Sequence, residues 1–192
     1  MQTKRQNEII EEAVNIINTL GIQGLTIKNL SKTIGISEPA IYRHFESKTA
    51  ILLAILDNFK EMTSFINQSV DAIKNSSIEK IEWMFIKITE LFAKEPAHIS
   101  VVFSEELFKN DKLLQQKIME IADMQRQTVE AIIAEGQKKG EIRNDIDYST
   151  LALIVIGTLR FQIKQWDLKN KHQHLVPEGQ KLIENLKRIL HP

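Results

Sequence analysis

The 192-residue chain has no cysteine, only 4 prolines and 7 glycines, few aromatic residues (6%) and no excess of either charge, 25 basic side chains facing 25 acidic ones. The missing cysteine excludes disulfides, thiolate zinc sites, iron–sulfur clusters and cysteine nucleophiles, and fits a reducing cytosol. Scarce glycine and proline leave little punctuation for hairpins. The longest apolar run, Leu151 to Gly157, falls far short of the roughly 20 residues a membrane helix needs. The opening MQTKRQNEII holds no apolar signal core. These features point to a cytoplasmic location without a membrane partner. What the chain does have is 43% hydrophobic and 26% charged residues, enough to bury a real core and incompatible with disorder throughout.

Apolar residues recur at spacings of three and four, which predicts an all-helical protein. Ile9, Ala13, Ile16, Ile17 and Leu20 share one face of a first helix that Gly21 should stop as a left-handed cap. Thr26 caps a second, with Ile27, Leu30 and Ile34 inward and Gly35 at its end. Ser37 opens a very short third, with Glu38 and Pro39 in its first turn and Ile41 and Phe45 inside. A long fourth helix, about 48 to 73, follows Ser47, and Ser76 with Glu79 reads as the capping box of a fifth. Apolar residues nearly surround that fifth helix, so it should lie at the centre of a bundle. Pro96 begins a sixth, expected to reach about Lys109, Asp111 caps a long seventh closed by Gly140, Asp147 caps the eighth, and Pro177 opens the ninth. Three short helices therefore form an N-terminal domain, 1–47, and six longer ones a second, 48–192. The fourth is expected to belong to both.

The chemistry concentrates in the first domain. Gly35-Ile36-Ser37 makes a tight turn of the helix-turn-helix kind. The outer face of the helix after it carries Ala40, Tyr42, Arg43 and His44, a set that suits phosphates, base edges and thymine methyls and that no packing requirement explains. Lys48 in the first turn of the fourth helix opposes the helix dipole unless an anion lies there, and the free amides of Lys48 and Thr49 would point at the same anion.

The segment GIQGLTIKNLSKTIGISEPAIYRHFESKTAIL, Gly21 to Leu52, resembles the DNA-binding domain of the TetR family of bacterial transcriptional regulators. The family pattern is matched at Gly24, Leu25, Thr26, Ile27, Leu30, Ile34, Gly35, Ser37, Ile41, Tyr42, Phe45, Lys48 and Leu52, about a quarter of the chain. Gly136 to Arg143 is similar to a segment that many members carry between their seventh and eighth helices. The resemblance implies phosphate contacts from Thr26, Lys28, Tyr42 and Lys48, and base or backbone contacts from Ser37, Pro39, Ala40, Arg43 and His44. Glu38 would repel phosphate, so a local capping role is expected ahead of acceptance from a cytosine amino group.

The resemblance also implies a homodimer and a small-molecule effector held among the fourth to seventh helices. Large adaptable side chains there, Met62, Phe65, Trp83, Met84, Phe103, Phe108 and Met124, are the candidate pocket, with Thr89, His98, Ser104, Glu105 and Gln125 as polar groups and a mainly apolar molecule as ligand. The eighth helix is apolar on two faces, of which one bundle covers one. Leu151, Ile154, Val155 and Leu159 with Leu182, Leu186 and Ile189 of the last helix are the candidate dimer interface. A dimer would require a near-palindromic operator. The expected function is that of a repressor released by its effector, without cofactor or catalytic activity. The histidines show no HExxH spacing, no phosphate-binding glycine loop exists, and His172 with His174 would supply two metal ligands at most. Residues 1–50 hold six cations, Lys4, Arg5, Lys28, Lys32, Arg43 and Lys48, against Glu8, Glu11, Glu12, Glu38 and Glu46. That near-neutrality predicts weak non-specific DNA binding and a few located contacts.

Overall fold

The computed structural model describes the chain except residues 1, 74, 105, 106, 108, 110 and 170–173, and the side chain at 71. The described residues form nine helices and no strand: α1 (Lys4–Gly24), α2 (Ile27–Ile34), α3 (Glu38–Tyr42), α4 (Lys48–Asp71), α5 (Ser77–Lys94), α6 (Ala97–Val102), α7 (Lys112–Lys139), α8 (Tyr148–Leu168) and α9 (Leu175–Leu190). The all-helical expectation is met. None of these helices is long and apolar enough to cross a membrane. Packing divides the chain into two compact units, one of residues 1–60 and 96–119, the other of 61–95 and 120–192. Both α4 and α7 contribute to each.

In the first unit α1 packs against α2 and α6, and α2 against α3. Its core takes Ile9, Ala13, Ile16 and Ile17 from α1, Leu30 from α2, Ile41 from α3, and Ile51, Ile55 and Phe59 from α4. Two expectations fail at the end of α1. Gly21 adopts φ 71° and ψ 178°, which is not the left-handed helical cap but a kink, after which the helix resumes to Gly24. The kink carries Gly24 back beside Leu20, where a Cβ on Gly24 would lie 2.3 Å from that of Leu20. Leu20 is left exposed rather than buried. Further along, α6 ends at Val102 instead of near Lys109, Phe103 having left helical geometry.

The second unit is built around α5, which packs on α9 and α8. Ile78, Ile81, Met84 and Phe85 meet Val129, Ile132 and Ile133 of α7, Leu151 and Val155 of α8, and Ile183 and Leu186 of α9 in one core. The Ser76–Glu79 capping box forms as expected, and Glu141 accepts from the Ser77 amide at 2.7 Å. Two carboxylates therefore satisfy amides at the positive end of α5. The segment Gly136 to Arg143 is a built turn. The Gly136 carbonyl accepts from the amides of Glu141 and Ile142, Gly140 takes φ 73°, and the Gln137 amide donates to the carbonyls of Arg143 and Ile146. Gly136 must lack a side chain, since a Cβ there would fall 2.7 Å from Ile142 Cδ1 and 2.8 Å from Ser77 Cβ. Asp147 caps α8 as expected, whereas α9 starts at Leu175, ahead of Pro177.

Candidate nucleic-acid interface and internal cavity

The helix-turn-helix is held by short-range bonds. Thr26 Oγ1 accepts from the Asn29 amide at 3.0 Å, and the Asn29 side chain donates to the Gly24 carbonyl at 2.8 Å. Gly35 at φ 75° and ψ 31° closes α2, and the amides of Gly35 and Ile36 both donate to the Ser31 carbonyl. Only a residue without Cβ takes this left-handed backbone freely. Helix α3 is too short to be stable alone; the fully buried Ile41, with Phe45 just beyond the helix, fixes it to the unit. That anchoring leaves Pro39, Tyr42 and Arg43 exposed, with Ala40 and His44 half-buried. Gln6 of α1 donates to the His44 carbonyl at 3.3 Å and secures the end of α3.

Thr26, Lys28 and Ser37 are likewise exposed. Thr26 is committed to its cap, while the Ser37 side chain makes no capping bond although its backbone is the cap of α3. Glu38 sits exposed in the first turn of α3. The local cap expected of its carboxylate does not form among the described residues. A carboxylate in the first turn faces the positive end of the helix dipole.

Lys48 is half-buried, and its ammonium donates to the Ile22 carbonyl at 3.3 Å. Burial lowers its pKa. An ammonium has three donors, so this bond orients Lys48 beside the α4 N-terminus and leaves it able to meet a phosphate. Ser47 Oγ accepts from the Ala50 amide at 3.1 Å as the cap of α4. In the same turn Thr49 donates to Asp111 at 2.8 Å, and that bond holds the Asp111 carboxyl below its usual range while Asp111 caps α7.

In the second unit lies a cavity of about 40 Å³, walled by Ile81, Met84, Phe85, Ile88, Val129, Val155, Ile156 and Leu159, with Asn67 and Gln125. Of the side chains expected to line a pocket, Met84 and Gln125 do so. Phe65 does not, because its position on α4 faces solvent and 72% of it is exposed. Met62, Trp83, Phe103 and Met124 are half-buried away from this cavity. Ser64 donates to the Met124 sulfur. Phe108, Glu105 and His172 lie outside the described residues. Thr89 spends its hydroxyl on the Phe85 carbonyl at 2.7 Å, and His98 packs on Phe59 in the other unit, ring centres 5.2 Å apart.

Asn67 was missed by sequence reasoning. It stands at the inward positions of α4 with Thr63, Ile66 and Val70, and an amide on such a stripe is the signal that would have found it.

The expected dimer surface needs correction. Leu151, Val155 and Leu186 are buried in the protomer's own core, so they have no surface left for a partner, and Ile154, Leu159 and Leu182 pack partly against that core. Ile189 is exposed. The uncovered face of α8 carries Leu153 and Phe161, 69% and 68% exposed, on either side of Gly157.

Residues 9–55 match the model of bacterial regulatory proteins of the tetR family, and residues 59–189 match the C-terminal region of YsiA-like proteins. A "Fatty acid metabolism regulator protein" of Bacillus subtilis (strain 168) is 28% identical over 100% of this chain and 99% of its own length. Among solved structures, the fatty acid degradation regulator FadR from Bacillus halodurans superposes with TM-score 0.84 at 19% identity, covering 97% of this chain and 96% of that one. The Bacillus subtilis regulator FadR in complex with stearoyl-CoA does so with TM-score 0.81 at 24% identity, covering 98% and 100%. With a helix-turn-helix and a separate helical unit both matched, the chain belongs to the tetR family of bacterial regulatory proteins and is a transcriptional regulator, not an enzyme.

Proposed function

We infer that the protein is a cytoplasmic homodimeric repressor that binds a near-palindromic operator through α2 and α3 and is released by a mainly apolar effector, a long-chain fatty acyl-CoA. The observation that carries the effector class is the apolar cavity inside the second unit, a wall suited to a hydrocarbon chain. The acyl-CoA chemistry comes from the relatives: one regulates fatty acid metabolism and another binds stearoyl-CoA. Residues 1–47 serve as the DNA-binding domain and 48–192 as the effector and dimerisation domain.

The cavity of about 40 Å³ holds no more than a short stretch of chain. Effector entry must therefore widen it by moving the helices that wall it. A tilt of α4 favoured by the effector would change the spacing of the two recognition helices in a dimer. Release follows only if effector binds that arrangement more tightly than the DNA-bound one. The test is fluorescence anisotropy of an operator selected from random DNA, titrated with octadecanoyl-CoA and with free coenzyme A. Octadecanoyl-CoA should weaken operator binding by about tenfold or more, and coenzyme A should leave it unchanged. Equal operator affinity with and without octadecanoyl-CoA would remove the effector assignment.

A further inference from the structure

Asn67 is 8% exposed, and neither its amide oxygen nor its amide nitrogen has a hydrogen-bond partner. It shares the cavity with Ile81, Met84, Phe85, Val155 and Leu159. A buried amide left unpaired is strongly unfavourable, and most such groups in folded proteins are satisfied by protein, water or ligand. Leucine has the same branched outline and would place apolar atoms against these neighbours. The amide therefore calls for an occupant that can pair with it.

We propose that Asn67 is a specificity-determining residue that reads a hydroxyl group on the hydrocarbon chain of the effector. The inference rests on the apolar-effector function above and deepens it. A side-chain amide offers donors on nitrogen and acceptor lone pairs on oxygen. An unsubstituted acyl chain answers neither. A thioester carbonyl accepts but cannot donate, so it would leave the amide oxygen unpaired. A hydroxyl does both.

An unsubstituted chain entering beside Asn67 would leave both ends of the buried amide unpaired, which lowers affinity, whereas a hydroxyl pairs with them. Sites built to hydrogen-bond a hydroxyl discriminate strongly against the analogue that lacks it.

The experiment is calorimetric titration of the full chain with octadecanoyl-CoA and with octadecanoyl-CoA hydroxylated at carbon 3, 10 or 12, each also scored for operator release. One hydroxylated chain should bind the wild type about tenfold or more tightly than octadecanoyl-CoA. Asn67→Leu should bind octadecanoyl-CoA at least as well as wild type and lose the preference. Asn67→Val is the second variant, and circular dichroism shows which of the two is folded. The proposal is overturned if no hydroxylated chain is preferred, or if the preference survives in the folded variant. Should octadecanoyl-CoA bind and release DNA without any hydroxyl preference, Asn67's role falls and the effector function stands. Should no acyl-CoA bind at all, both fall.

Discussion

Replacing Phe161 with alanine should separate self-association from folding. Complete burial of a phenylalanine contributes about 1.5–3 kcal/mol, and 68% of Phe161 is exposed in the protomer. Covering it against a second copy would contribute about 1–2 kcal/mol per chain, and a two-fold interface uses the residue twice. The dimer of Phe161→Ala should therefore dissociate about 30- to 1,000-fold more readily, while the protomer's own packing is nearly untouched. Gly157→Ala sharpens the comparison. A Cβ at Gly157 meets nothing within 4 Å in the single chain, so helix propensity alone should stabilise the protomer by up to about 1 kcal/mol. Any weakening of self-association by this methyl must come from a partner helix. Sedimentation velocity across a dilution series gives the dissociation constants, and thermal denaturation gives protomer stability. A Phe161→Ala constant within about threefold of wild type would refute a role for this α8 face in self-association.

Other outcomes follow from the same geometry. Arg43→Ala and Tyr42→Ala should keep the wild-type melting temperature, both side chains being exposed, yet weaken binding to selected DNA by about tenfold or more in anisotropy titrations. Lys28→Ala should reduce the slope of log affinity against log salt by about one, as loss of a single phosphate contact does. Gly136→Ala forces a methyl to within 2.7 Å of Ile142 and 2.8 Å of Ser77. Overpacking of about 1–3 kcal/mol set against about 1 kcal/mol of helix propensity leaves a net loss of up to about 2 kcal/mol, which urea denaturation should show. Asp147 is held down at about 2 by the hydroxyls of Ser149 and Thr150 and then by the Thr150 amide. A depressed carboxyl stabilises the fold above its ordinary pKa of about 3.9 and loses that contribution as pH falls towards 2. The gap in melting temperature between wild type and Asp147→Asn should narrow between pH 5 and pH 2.

Local features were legible from sequence and long-range ones were not. Thr26, Gly35, Ser76 and Asp147 announce helix ends because capping depends on a few neighbouring residues. The helix-turn-helix could be read for the same reason, since Thr26, Gly35 and Ser37 mark its helix ends locally. Periodicity also marked α5 as central. It could not tell which apolar face of α8 the protomer keeps for itself, because Leu151 and Val155 are as apolar as Leu153 and Phe161. The outcome depends on where α5 and α9 pack. The same limit applies to Phe65, exposed on α4, and to Asn67, buried on the same helix. Glycine at 21 marked a break in α1, but only tertiary geometry decides between a cap and a kink. The turn at 136–143 stands out as a segment, but its reason, the close approach of Gly136 to Ser77, is set by tertiary packing.

The proposed function is sequence-specific DNA binding by a symmetric pair of recognition helices. Selection of bound duplexes from a random pool by the wild-type chain, with Arg43→Ala carried in parallel, tests it most directly. The wild type should enrich one near-palindrome and the variant little or none. Absence of any enriched sequence, or the same sequence enriched equally by both, would contradict it.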